Sequence, residues 1–378
     1  MSAPVPSLSI LDLAPVSSGS AVADAFRNTL DLARHAERPG YGRYWMAEHH
    51  LNPGVASAVP ELLIQAVAAA TTQIRVGSGA VLVGQRTPLA VAEAFGTLDA
   101  FFPGRIDLGL GRTGRPKRSG APAASNGGPR VVDGVVIPRP FAFGRLIGSP
   151  RFAAQLQLLH IDLATTQDYG EFVDELFALM EGRWRSADGV EVHAVPGEGA
   201  RFDPWILGSS GGDSATVAGE RGLPFAANYH ISPASVLEAV EGYRAAFRPS
   251  ARLAQPHVMV SADVVVGPDD ASARELAAGY GPWVRSIRLA EGAIPFPTPA
   301  EAAALEWTDE DRELVADRVD TQFVGSPETV VRGLSALRAV TGADELLITT
   351  ITHDHADRVR SYELLAQEWA RTEQVPAS

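Results

Sequence analysis

"IRVGSGAVLVGQRTPLAVAEAFGTLDAFFPGRIDLGLG", residues 74–111, carries a strand, a helix and a second strand in direct succession. Residues 74–83 are branched side chains interrupted by small ones, and 88–102 space their apolar residues as a helix does. Residues 105–111 return to a short apolar run. Short links join the three. A strand, a crossover helix and a strand in this order imply parallel pairing.

The same rhythm runs outward in both directions. Upstream, 8–14 predicts a strand, 21–38 a helix, 41–47 a strand and 58–72 a helix with Pro60 in its first turn. Downstream, helices are predicted over 167–182, 212–222, 232–247, 268–280, 326–342 and 355–370, with strands over 204–208, 223–228, 257–267 and 345–351. Ser232 is placed as an N-cap with Pro233 at the first helical position, and Gly222 ends its helix. A small hairpin is expected at "VEVHAVP", 190–196. Eight strands, nearly all followed by helices, predict an α/β fold, a (β/α)8 TIM barrel. An open doubly wound sheet is the alternative.

Two stretches break the rhythm. Residues 113–165 are rich in Gly, Pro, Arg and Ser, and are expected to form a long insertion after strand 4 that serves as a lid. Residues 281–300, with "GAIPFPTP", are expected to be a smaller irregular insertion after strand 7. No linker, repeat or shift of composition divides the chain, so 1–378 is expected to be one domain.

Composition narrows the chemistry. A hydrophobic share of 46 % supplies a large core, and a formal net charge of -13 argues against nucleic acid or an anionic membrane as partner. The chain has no cysteine, which removes disulfides, thiolate metal sites and cysteine nucleophiles. Its start lacks a basic region followed by an apolar one, and no apolar run reaches about 18 residues, so a soluble cytoplasmic protein is expected.

In such a barrel, chemistry gathers where strands end. Strand 2 ends in "AEHH" (47–50), strand 4 in "GLGRTG" (109–114), strand 5 in "LGSSGGDSA" (207–215) and strand 8 in "THDH" (352–355). "GLGRTG" matches a dinucleotide fingerprint by spacing, but "RPKRSGAPA" after it cannot open the required helix. Its glycines would instead let a ligand approach while Arg112 offers a fixed positive fork; a surface arginine on a glycine-rich turn is the plainer reading. Ser209, Ser210 and Ser214 stand where hydroxyls and backbone N–H groups cradle a phosphate, or where they simply cap a helix. Asp213 is unwelcome beside a phosphate unless it points away. "VGSGAV" lets something flat lie on the backbone, or marks a bulge or tight corner. The histidines of "AEHH" and "THDH" invite a metal, as in a metal-dependent barrel hydrolase. However, adjacent residues of a strand face opposite ways, so His49 and His50 need not share one ligand.

Taken together, "GYGRYWMAEHH", the 74–114 stretch, "WILGSSGGDSATVAGERGLPFAAN" and "FVGSPETV" with "ADELLITT" resemble the bacterial luciferase-like flavin-dependent monooxygenase family, in family order. The resemblance implies an oxidoreductase: reduced FMN, supplied by a separate flavin reductase, reacts with O2 to a flavin peroxide that oxygenates a small organic substrate. It implies His49 as catalytic residue, Ser78, Gly79 and Ala80 against the flavin ring with a non-prolyl cis peptide at Gly79–Ala80, and Arg112, Ser209, Ser210 and Ser214 on the phosphate. Arg145 and Arg151 are candidates for a second phosphate arginine. No metal is implied. Residue 111 is glycine where the luciferases proper carry a reactive cysteine, so light emission from an aldehyde is not implied. A deazaflavin (F420)-dependent oxidoreductase of the same superfamily is the nearest alternative. A homodimer built on the helices after strands 2 and 3 is also implied. His49 could exchange a proton near neutral pH, and the lid would keep the site dry.

Overall fold

The computed structural model describes residues 8–112, 128–162 and 168–374. Eight parallel strands close on themselves: β1 (Leu8–Asp12), β2 (Arg43–Met46), β3 (Arg75–Ser78), β4 (Ile106–Gly111), β5 (Asp203–Gly208), β6 (Phe225–Asn228), β7 (Val258–Val266) and β8 (Glu345–Thr349). Leu8 registers with Leu346 where β8 meets β1, and Val258 with Phe225 where β7 meets β6. The barrel is therefore closed, and the open-sheet alternative falls. Helices α1 (Val22–Glu37), α2 (Pro60–Ala70), α3 (Pro88–Phe101), α4 (Tyr169–Met180), α5 (Asp213–Glu220), α6 (Val236–Ala246), α7 (Pro327–Thr341) and α8 (His355–Gln374) lie between and after the strands.

Local signals explain the element ends. Thr87 Oγ1 accepts from Ala90 N at 3.2 Å and Pro88 follows at the first helical position, so α3 starts sharply. Gly342, at φ +60, lets α7 stop in the left-handed conformation. β7 is buried along all nine residues, because a parallel strand is covered by the barrel interior on one face and helices on the other. Two cores follow: an outer one between strands and helices, and an inner one built from Leu11, Trp45, Trp205, Met259 and Leu347.

Buried charge closes the N-terminal end of the barrel. Arg43 Nη1 lies 2.8 Å from Asp107 Oδ2, Arg75 Nη2 lies 2.6 Å from Asp107 Oδ1, and Arg43 Nε lies 3.3 Å from Glu345. Trp45 Nε1 donates to Asp107 at 2.9 Å. This bottom is filled, so access is left to the other end.

Both expected irregular stretches hold more order than their composition suggests. Within 113–165, an antiparallel hairpin pairs Arg130–Val132 with Val135–Ile137, and helices cover Gly144–Ile147 and Pro150–Leu158. Residues 113–127 and 163–167 lie outside the described residues. Within 281–300, Tyr280–Arg288 is a helix that buries Trp283 and Val284. Pro282 obscured it, yet sits in its first turn, where no intrahelical N–H is needed. Helices Pro299–Ala303 and Asp309–Val319 follow, and a strand at Phe323–Gly325, missing from the sequence reading, pairs with β7 outside the ring of eight. The hairpin expected at 190–196 shrinks to one bridge between Arg185 and Glu191. Ser232 makes no side-chain cap: a 3-10 turn at Pro233–Ser235 precedes α6. Among the described residues, no helix is long and apolar enough to cross a membrane.

Candidate active site

A cavity of about 550 Å3 opens at the C-terminal ends of the strands. His49, Gly79, Ala80, Arg112, Ser209, Ser210 and Ser214 all line it, although they come from four separate strand ends. The barrel brings together what the sequence disperses. The excursion after β4 contributes Phe143 and Leu146 to the wall. Phe141 lies under the Arg288 guanidinium at 3.4 Å, which ties the excursion to the helix after β7.

Ser78 is the exception. It is fully buried, and its hydroxyl meets both the C=O and the N–H of Gly109 at 3.0 Å. It ties β3 to β4 behind the cavity and does not line it. The glycines of β4 also serve packing: a Cβ on Gly109 would stand 2.1 Å from the Ser78 carbonyl oxygen. Immediately after Ser78 the Gly79–Ala80 peptide is cis, and Val81–Leu82 then resumes pairing with β4.

The "EHH" stretch divides its labour. Glu48 is buried, and its carboxylate accepts from Leu82 N at 2.9 Å, Gln85 Nε2 at 3.0 Å and Arg86 Nη2 at 3.1 Å. His50 Nε2 lies 2.9 Å from the same carboxylate. Glu48 and His50 thereby fix the small-residue segment, and neither is spare for a metal. Glu48 carried no clamp signal in the sequence, since Leu82, Gln85 and Arg86 stand 34, 37 and 38 residues away. His353 contacts the Ser18 carbonyl at 3.0 Å and His355 contacts Asp31 at 2.8 Å, so "THDH" does not join "AEHH" in one cluster.

His49 remains for the cavity. Its Nδ1 is buried with no hydrogen-bond partner. Burial foremost, then the neighbouring His50, lowers its pKa from 6.5 to about 4. His49 is thus a neutral imidazole at neutral pH, with a ring lone pair able to accept a proton.

At the opposite mouth, Arg112 Nη1 lies 2.5 Å from Asp213 Oδ2. Asp213 is the first residue of α5, whose N-cap is Gly212, so it does not point away as a phosphate site would prefer. Ser209 and Ser210 are exposed beside it, and Ser214 is buried in the first turn. A guanidinium and two open hydroxyls before a helix N-terminus form a donor set that suits a phosphate. Arg151 reaches the Leu51 carbonyl and does not line the cavity; the side chain of Arg145 lies outside the described residues.

One wall was missed by sequence reasoning. His230, Asp263, Trp283, Arg288 and Arg318 all line the cavity. Asp263 and Arg318 pair at 3.1 Å, Arg318 Nη2 donates to Tyr280 Oη at 2.8 Å, and Arg288 pairs with Asp317 at 2.6 Å. His230 was open to discovery, because it stands two residues past β6. The arginines were not, since they sit on helices inserted between β7 and α7.

Comparison with known proteins agrees with this geometry. The family model described as luciferase-like monooxygenase matches residues 7–126 and 159–345. The chain is 37 % identical over 365 residues to YvbT of Bacillus subtilis (strain 168), covering 96 % of each. It is 35 % identical over 359 residues to a luciferase-like monooxygenase of Escherichia coli (strain K12), covering 94 % of this chain and 95 % of that one. Among solved structures, apo-MsnO8 superposes with a TM-score of 0.78 at 32 % identity over 99 % of both chains. The fold alone is shared with the oxygenating constituent of a Pseudomonas putida 3,6-diketocamphane monooxygenase in complex with FMN, at 21 % identity, TM-score 0.64, and 98 % and 100 % of the two chains. It is shared too with an F420-dependent tetrahydromethanopterin reductase from Methanopyrus kandleri, at 15 %, 0.59, and 97 % and 99 %.

Proposed function

Since this chain belongs to the luciferase-like monooxygenase family, we propose that it is an FMN-dependent monooxygenase acting on a small organic substrate with O2. The observation that carries this reading is one cavity bounded by His49, the Gly79–Ala80 segment and the Arg112–Ser209–Ser210 mouth. Bound reduced FMN would supply the two electrons that activate O2, one oxygen atom going to substrate and the other to water.

The chain's own residues then have separate tasks. Arg112, Ser209, Ser210 and Ser214 hold the phosphate. Gly79 and Ala80 present a flat, nearly side-chain-free surface to the ring, fixed from behind by Glu48. His49 offers a neutral imidazole to the reacting face. Phe143 and Leu146 of the excursion exclude water. Ser78 supports this bed through its hydroxyl on Gly109. A separate flavin reductase is proposed as the source of reduced FMN. A homodimer is proposed through α2 and α3, where Leu62, Leu89 and Phe101 are exposed apolar side chains.

The test is an anaerobic titration with reduced FMN followed by exposure to O2. Binding, with reoxidation slower than that of free flavin, is expected. Failure to bind reduced FMN sinks the reading. Binding of reduced F420 in its place would favour the hydride-transferring alternative, whose fold this chain shares.

A further inference from the structure

His230 lies on the other wall of the cavity and has no part in the reading above. It follows β6, is 8 % exposed, and lines the same cavity as His49. Its Nδ1 lies 2.5 Å from Ser261 Oγ on β7. Ser261 Oγ also donates to the Ala227 carbonyl, at 3.4 Å. A hydroxyl has one proton, and a carbonyl can only accept. If that proton goes to Ala227, Ser261 accepts from His230 Nδ1–H, and both contacts are satisfied in one chain. The ring's Nε2 then carries a lone pair. Among the described residues no group bonds Nε2, and it is not among the polar atoms sealed from solvent without a partner, so it opens to the cavity. Burial first, and Arg318 next, hold the ring well below its ordinary pKa, so the lone pair persists at neutral pH.

The surroundings fix what can use it. Ile231, Trp283 and Ile287 line the cavity with it. The charges on this wall already face partners, Asp263 on Arg318 and Asp317 on Arg288. We propose that His230 is a specificity-determining residue, whose Nε2 accepts a hydrogen bond from a hydroxyl group on an otherwise apolar, uncharged substrate. No proton is transferred: the imidazole orients the molecule, and a site built to accept from a hydroxyl discriminates against the analogue that lacks it. This deepens the proposed function by naming a substrate class, and rests on it only for the reaction that follows binding.

The test separates the two. The probes are 2-naphthol and 2-methoxynaphthalene, alike in body and differing in the donor. Wild type is expected to prefer 2-naphthol by about tenfold, the order of one hydrogen bond. His230→Phe is expected to bind both probes alike while keeping its FMN affinity. In parallel, nitrogen-15 NMR of histidine-labelled wild type should show His230 protonated on Nδ1 and not on Nε2, with the Nε2 resonance moving on addition of 2-naphthol. Equal binding of the probes, binding of neither, a preference surviving in His230→Phe, or an Nε2-protonated ring overturns the proposal. A wild type that prefers 2-naphthol but fails to bind reduced FMN would overturn the flavin reading and leave this one standing.

Discussion

Arg112 at the end of β4 and Asp213 at the start of α5 meet at 2.5 Å across the cavity mouth. The acid therefore competes with any phosphate for the same guanidinium. Arg112→Ala is expected to weaken FMN binding by about 1.5–3 kcal/mol, the worth of a hydrogen bond to a charged group. Asp213→Asn should act in the other direction and tighten it by about 1 kcal/mol, as removal of a partly exposed competing charge. Flavin titration of both variants checks the pair; unchanged affinity in Arg112→Ala would remove it from the phosphate site.

His49→Ala should bind FMN nearly as well as wild type and lose oxygenation. The reason is position: His49 and Arg112 line the same cavity from different strand ends, and only the arginine suits the phosphate. Flavin titration together with product formation under O2 checks this. Weak flavin binding with normal turnover would contradict the assigned role.

Glu48→Ala is expected to cost about 1–3 kcal/mol of stability, since it leaves His50 and the Leu82 N–H without their carboxylate while Arg86 keeps Glu61. Flavin affinity should fall as well, because Glu48 holds Leu82 N and with it the segment after Ala80. Urea unfolding and flavin titration read the two effects separately.

Acid should weaken the fold before carboxylates titrate. His49 ionises near 6.5 when unfolded and near 4 when folded, so between those values the unfolded chain binds more protons and stability falls as pH falls. His230 is shifted in the same direction. Urea midpoints should be lower at pH 5 than at pH 7, and His49→Gln should narrow the difference. An equal difference in the variant would show that His49 does not titrate in that window.

The sequence determined the barrel and most of one half of the site. Strand and helix periods are local properties, and parallel strands joined by short crossovers leave few ways to close. Once the barrel was drawn, strand ends gave a short list of stretches, and the family resemblance singled out His49, Arg112 and the serines within them, without any distance being known. Ser78 shows the limit of that rule: although it is the last residue of β3, its hydroxyl faces Gly109 and not the cavity. The tertiary structure alone decided that Glu48 is a clamp, that Asp213 occupies Arg112, and that burial lowers the pKa of His49. It also alone placed Arg288 and Arg318 in the wall, from helices inserted between β7 and α7 that no strand end marks. Each of these depends on a partner distant in the chain or on exclusion of water, and neither is written in the spacing of residues.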